Sequence, residues 1–244
     1  MSLMKRPWER LDELSDAEAL EAIFEYCWLH LAQIMEQKRA YAGLYGDVRR
    51  VEIMNAASGA LSRVIQDALF DSIVLGLCRL LDPAKSGRTK FVNLSFDLMI
   101  SKLPASEISL HCQERREDLC NRAYSLRQRR DKHLAHTDLA SLKQEARVGW
   151  VSLTEIESTL SEMGDLLKDI YSIQFGIHLD VWPPNDHPEL PFLRSLFYGK
   201  TALDERIEAF FKDYMSAPSS RTNRLPHLDS IYPDFLCRPF SKLD

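Results

Sequence analysis

Proline placement sets the first limit on what this chain can fold into. Eight of the eleven prolines (Pro183, Pro184, Pro188, Pro191, Pro218, Pro226, Pro233 and Pro239) lie in the last quarter, and only Pro7, Pro83 and Pro104 precede them. A proline removes a backbone donor and clashes with the preceding helical turn, so long helices need proline-free tracts. Glycine is also scarce, nine in 244 residues, and no Asn-Gly or Asp-Gly hairpin dipeptide occurs. The pattern predicts an all-α fold, an antiparallel bundle of long helices over residues 15–176. Residues 177–244 read as an irregular, proline- and aromatic-rich extension carrying one short helix near 202–214.

Individual helix ends can be placed. Ser15 and Glu18 form a capping box, opening a helix to about residue 41 that Gly43 and Gly46 break. Asp47 caps a second helix, which stops at Asp82 because the residue before Pro83 avoids helical geometry. Ser95 caps a short helix ending before Pro104. Residues 106–142 lack proline and glycine and read as one long helix or two in series. Thr154 with Glu157 makes another capping box, opening a helix to about residue 175. Residues 147–153 are the one strand candidate. The extension also holds Trp182, Phe192, Phe197, Phe210, Phe211, Tyr232, Phe235 and Phe240. That is too apolar for a linker, so it is expected to wrap over the bundle or a neighbouring subunit.

Composition narrows the class. With 45% hydrophobic and 27% charged residues the chain matches a soluble globular protein. The most apolar segment, 64–81, is interrupted by Gln66, Asp67, Asp71 and Arg79, which argues against a membrane span. The net charge of −5 excludes a general polyanion binder, so any nucleic-acid contact must come from a local patch. Five scattered cysteines without a CxxC pair suit free thiols in a reducing compartment. No apolar leader is visible, Met4 offers an alternative start, and a cytoplasmic location is expected.

A local patch exists. Residues 115–132 hold seven basic and three acidic side chains, a net +4. By composition alone this is more readily a solvated helix face with i,i+4 ion pairs. Its C-terminal end runs into Arg129, Arg130, Asp131, Lys132, His133, Leu134, Ala135 and His136, and that order of residues favours chemistry. On an unbroken helix, Arg129 and His136 differ by about 20°, His133 lies about 40° to the other side of Arg129, and Arg122 joins the same stripe. Arg130 falls beside the apolar positions and would face a partner helix or a subunit interface. A histidine titrating near neutrality can move a proton to or from a ribose oxygen. A guanidinium can grip the scissile phosphate bidentately and offset its growing charge. His-x-x-His can also bind a metal, but Arg129, Arg130 and Lys132 would repel a cation and no acidic third ligand adjoins.

The stretch RDKHLAHTD (residues 130–138) resembles the signature of the HEPN superfamily of helical bundles (higher eukaryotes and prokaryotes nucleotide-binding). There, an arginine, four to six residues and a histidine form the active site of many ribonucleases. Arg130 and His136 fit that spacing, as do Arg129 and His136. Asp131, directly after Arg130, matches the polar residue the family often carries, which favours Arg130 as the motif arginine. The Arg-Leu-Leu-Asp of residues 79–82 and the Asn-Leu-Ser of residues 93–95 look like the abortive-infection, AbiU2-like branch. The resemblance spans roughly residues 15–175.

It implies a four- to five-helix bundle, usually a homodimer, whose motifs meet in a composite cleft and cleave RNA without metal or cofactor, leaving a 2′,3′-cyclic phosphate. In that reading His136 is the general acid or base, Arg130 the phosphate clamp, and Asp131 orients one of them. Helix geometry and charge add Arg122, Arg129, Lys132 and His133 as RNA contacts. RNA, a second copy of the chain and an antitoxin protein are the expected partners, in a toxin or phage-defence role. The alternative is a catalytically silent helical dimer that binds nucleotide, RNA or a protein, with the same residues as a structural network.

Other candidates are weaker. His178, Asp180, Asp186, His187, His227 and Asp229 have metal-binding chemistry but irregular spacing. Lys85, Ser86, Gly87 and Arg88 lack the pattern of a phosphate loop. Asp71, on an otherwise apolar helix, reads as a satisfied polar group or an interface residue. The four tryptophans read as core or tail anchors.

Overall fold

The computed structural model describes residues 6–85, 92–131, 151–176, 187 and 189–216. After a 3-10 segment, Pro7–Glu13, come α1 (Asp16–Tyr45), α2 (Val48–Leu81), α3 (Phe96–Ser101), α4 (Glu107–Arg122), α5 (Tyr124–Arg129), α6 (Leu153–Phe175) and α7 (Glu189–Ser216). Among the described residues there is no strand; one isolated bridge joins Lys85 and Val92. The fold is an all-α helical bundle, as the proline and glycine pattern requires. No helix among the described residues is long and apolar enough to cross a membrane.

Local chemistry fixes most of the ends. The Ser15 amide donates to Glu18 Oε2 at 2.9 Å while the Glu18 amide returns to Ser15 Oγ, closing the capping box of α1. Asp47 Oδ1 accepts from the Arg49 and Arg50 amides and starts α2. Asp82 is extended (ψ 148°) ahead of Pro83 and ends α2. Within α2, Ser58 departs from helical geometry (ψ 104°) and its Oγ accepts from the Leu61 amide, so the helix restarts there.

Four boundaries differ from the sequence reading. Gly43 lies inside α1, which ends at Gly46. The cap of α6 is Ser152, whose Oγ accepts from the Glu155 amide at 3.1 Å, not Thr154. Leu153, read as the end of a strand, opens α6 instead, and residues 147–150 lie outside the described residues. Lastly, α7 begins at Glu189 rather than near residue 202. Pro191 falls in its first turn, where a missing N–H costs nothing, so proline did not mark a stop.

The core forms where α1 and α2 run side by side as an antiparallel pair. Ile23, Cys27, Leu31 and Ile34 of α1 meet Ile73, Leu77 and Leu80 of α2, closed by Phe96 and Met99 of α3, Leu119, Leu126, and Met163, Leu167 and Ile170 of α6. Gly76 lets the pair approach closely, since a Cβ there would lie 2.7 Å from Ile34 Cγ1. Cys27, Cys78 and Cys112 are buried free thiols, and burial pushes the Cys27 thiol up to about 12.

A smaller cluster of Leu44, Met54 and Leu193 seats α7 on α1 and α2. At its edge the Glu189 side chain, 4% exposed, fills the notch left by Gly43, where a Cβ would meet Glu189 Cγ at 2.5 Å. Arg50 Nη1 donates to the Gly43 carbonyl at 2.7 Å and lies 3.9 Å from Glu189 Oε1.

Candidate functional site

Two of the expected site residues, Arg130 and Asp131, gather at the end of α2. A helix C-terminus leaves carbonyls without intrahelical partners and carries partial negative charge, so it attracts cations. Here the Leu81 carbonyl accepts from Arg127 Nη2 at 2.7 Å and from Arg116 Nη2 at 3.5 Å, with Cys120 Sγ at 3.7 Å. Arg116 also pairs with Asp97 at 3.1 Å. The end of α2 therefore organises α4 and α5.

Arg130 follows α5 in a π-helical turn with Asp131. Its Nη1 donates to Asp82 Oδ1 at 2.6 Å and its Nε to Asp131 Oδ1 at 2.8 Å. Burial opposes the guanidinium charge, but the bonds to Asp131 and Asp82 outweigh it and hold the pKa above the ordinary arginine value. The side chain is 23% exposed, and Nη2 finds no hydrogen-bond partner among the described residues. Of five N–H donors, two are taken by carboxylates. Cys78, buried one turn before Asp82, feels this cluster. Burial pushes its thiol up to about 11 while Arg130 and Arg127 pull it down.

Arg129 turns elsewhere along α2. Its Nη2 donates to Asp71 Oδ1 at 2.9 Å, and its guanidinium lies 4.8 Å from the Phe70 ring centroid. Asp71 is thus a satisfied polar group, in line with the sequence reading.

Arg122 does not join Arg129 in one stripe. It pairs with Asp118 at 2.7 Å and with Glu162 of α6, on the side of α4 facing that helix. The single-helix projection fails because Ala123 (φ −81°, ψ 18°) separates α4 from α5, and the π turn adds a residue at Arg130. Lys132, His133 and His136 lie outside the described residues, as do His178, Asp180, Asp186, His227 and Asp229. Of the loop residues, His187 makes a 3.2 Å contact from Nδ1 to Glu189 Oε1. Among the described residues no group of three or more His, Cys, Asp or Glu converges on a metal position.

Sequence reasoning gave Asp82 no role beyond ending α2 and sharing in a family resemblance. A physical signal was available. A carboxylate at the negative end of a helix is unfavourable by itself, so it calls for a cation.

No curated protein matches the chain, and no solved structure does. A family model, HEPN_AbiU2 (AbiU2), matches residues 17–189, from the first turn of α1 to the first residue of α7. With α1 to α6 inside that match and the Arg130–Asp131 pair docked on its second long helix, the chain belongs to the AbiU2 family of HEPN domains.

Proposed function

We propose that the protein is a metal-independent endoribonuclease of the toxin or phage-defence type. Arg130 grips the scissile phosphate, and His136 takes the proton from the ribose 2′-hydroxyl or delivers one to the leaving 5′-oxygen. The 2′-oxygen bonds to phosphorus as the bond to the 5′-oxygen breaks, giving a 2′,3′-cyclic phosphate and a 5′-hydroxyl. Asp131 orients Arg130, and Lys132 and His133 add phosphate contacts. The observation that carries this reading is the state of Arg130. It is charged, partly exposed, anchored through two donors and, among the described residues, left with an Nη2 edge for a phosphate oxygen.

The exposed apolar residues of α2 support a homodimer. Leu61, Val64 and Ala68 recur at helical spacing on its surface after the break at Ser58, with Leu61 57% and Val64 63% exposed. Asp71 continues that stripe, so a second copy seated there would lie close to the arginine cluster.

The test is cleavage of RNA by purified protein in excess chelator, with His136→Ala alongside. Loss of cleavage with unchanged helical content supports the reading, and persisting cleavage in the variant removes it. The same Arg130 contacts also favour a second reading. Two carboxylates on one guanidinium make a neutralised structural network, as in a silent dimer that binds RNA, nucleotide or protein. Wild-type protein that binds RNA without cutting it would favour that reading.

A further inference from the structure

We infer that Asp82 is a positioning residue for the phosphate-gripping arginine, an inference that rests on the ribonuclease reading above. Arg130 lies beyond the end of α5, a helix of six residues, and a side chain there has little rigid support from its own element. Its orientation comes from α2 instead. Asp82 Oδ1 holds Nη1 at 2.6 Å, and the Leu81 carbonyl beside it holds Arg127 at 2.7 Å. Two successive residues at one helix end thus clasp two arginines one turn apart, on α5 and the turn after it.

The two carboxylates on Arg130 are not equivalent. Asp131 is its sequence neighbour, moves with it and is 58% exposed, so it can aim Nε but cannot tie the guanidinium to the bundle. Asp82 is 48 residues away and 27% exposed, at the C-cap of α2, whose last stretch from the restart near Ser58 packs its Ile73, Leu77 and Leu80 into the core. It is itself fixed by its own amide, which donates to the Arg79 carbonyl at 3.3 Å, and by Pro83 behind it. With Nη1 and Nε taken from two sides, the plane of the guanidinium is set, and Nη2, without a partner among the described residues, is the edge offered to a phosphate. Catalysis through a fixed donor depends on such placement, because a donor that must reorient loses much of its advantage.

The experiment compares wild type, Asp82→Asn, Asp82→Glu, Arg130→Ala and the double variant Asp82→Asn/Arg130→Ala, using a single-stranded RNA in chelator. Circular dichroism and thermal melting serve as fold controls. Asp82→Asn is expected to lower kcat by about 10- to 100-fold, the scale of one charge-assisted hydrogen bond, with a smaller change in KM. Asp82→Glu, which keeps the charge, should recover part of the loss. The double variant should be no slower than Arg130→Ala alone, because Asp82 acts through Arg130.

An active wild type with Asp82→Asn within about twofold of it would overturn the positioning role and leave the ribonuclease reading standing. So would a double variant clearly slower than Arg130→Ala. A wild type without cleavage overturns the ribonuclease reading itself, and this role with it. Should Asp82→Asn melt early, it is compared with wild type well below its melting temperature, where full helical content with reduced kcat supports the role and undiminished kcat overturns it.

Discussion

Arg129 and Arg130 are neighbours in the chain, yet their guanidinium groups clasp different carboxylates of α2, Asp71 at 2.9 Å and Asp82 at 2.6 Å. About three turns of helix separate those two acids. Adjacent arginines are thereby sorted, one against Phe70 on the flank of the helix and one at its end.

This sorting predicts different outcomes for two alanine variants. Arg129→Ala loses an ion pair and a cation–π contact and leaves Asp71 without its partner, so it should cost about 1 to 2 kcal/mol in urea unfolding. RNA cleavage by that variant should persist. Arg130→Ala should lower cleavage by about 10³-fold, to a residual rate, while retaining helical content. If Arg129→Ala proved the inactive one, the assignment of the phosphate clamp would pass to Arg129.

The α2 surface makes a prediction about assembly. Leu61→Asp with Val64→Asp places two charges on the exposed apolar stripe, far from the Leu31–Leu77 core. Sedimentation should report two chains per particle for wild type and one for the double variant, with the melting temperature of the monomer little changed. A wild type that sediments as a single chain would remove the proposed dimer.

Stability should rise with pH around neutrality through His30. Burial pushes its imidazole below the ordinary 6.5, and the Arg79 charge pushes the same way. Its ring is stacked on Tyr26 and its Nε2 is buried without a partner. Because the folded pKa lies below the unfolded one, the unfolded chain takes up the proton first. The contribution is complete above about 6.5 and is lost as pH falls toward the folded value. The urea midpoint should drop between about pH 7.5 and 5.5, and His30→Phe should flatten that slope. An unchanged slope in the variant would show that other groups carry it.

A larger residue at Gly76 should cost stability. A Cβ there would lie 2.7 Å from Ile34 Cγ1 and 2.8 Å from Ile34 Cδ1, so Gly76→Ala must shift either that side chain or the helix pair. A loss of about 1 to 3 kcal/mol is expected, against the usual gain in helix propensity. Combining it with Ile34→Val should restore part of the loss in a double-mutant cycle.

The sequence disclosed what local chemistry decides. The Ser15–Glu18 box, the Asp47 cap and the Asp82-Pro83 stop each depend on residues three or fewer positions apart, and all stand as read. The break at Ala123 carried no glycine or proline to announce it, and it moved Arg122 onto α6. The start of α7 was hidden for the opposite reason, since Pro191 looks like a breaker but occupies a turn where its ring fits. As for the site, the Arg130–Asp131 contact is a neighbour interaction and was legible from the motif. The Asp82 contact spans 48 residues and depends on how α5 meets α2, which periodicity does not encode.

The absence of a single side chain at position 43 has a consequence for how the molecule can vary. Glu189 enters α1 like a key in a slot, and the slot is one hydrogen atom deep. Whatever substitutions accumulate along the 28 residues of α7, its first carboxylate can seat only where the opposing backbone stays bare. A methyl at that glycine would evict the Glu189 side chain, whose Cγ, Cδ and Oε1 are what it would meet, so only a shorter residue at 189 could go with it.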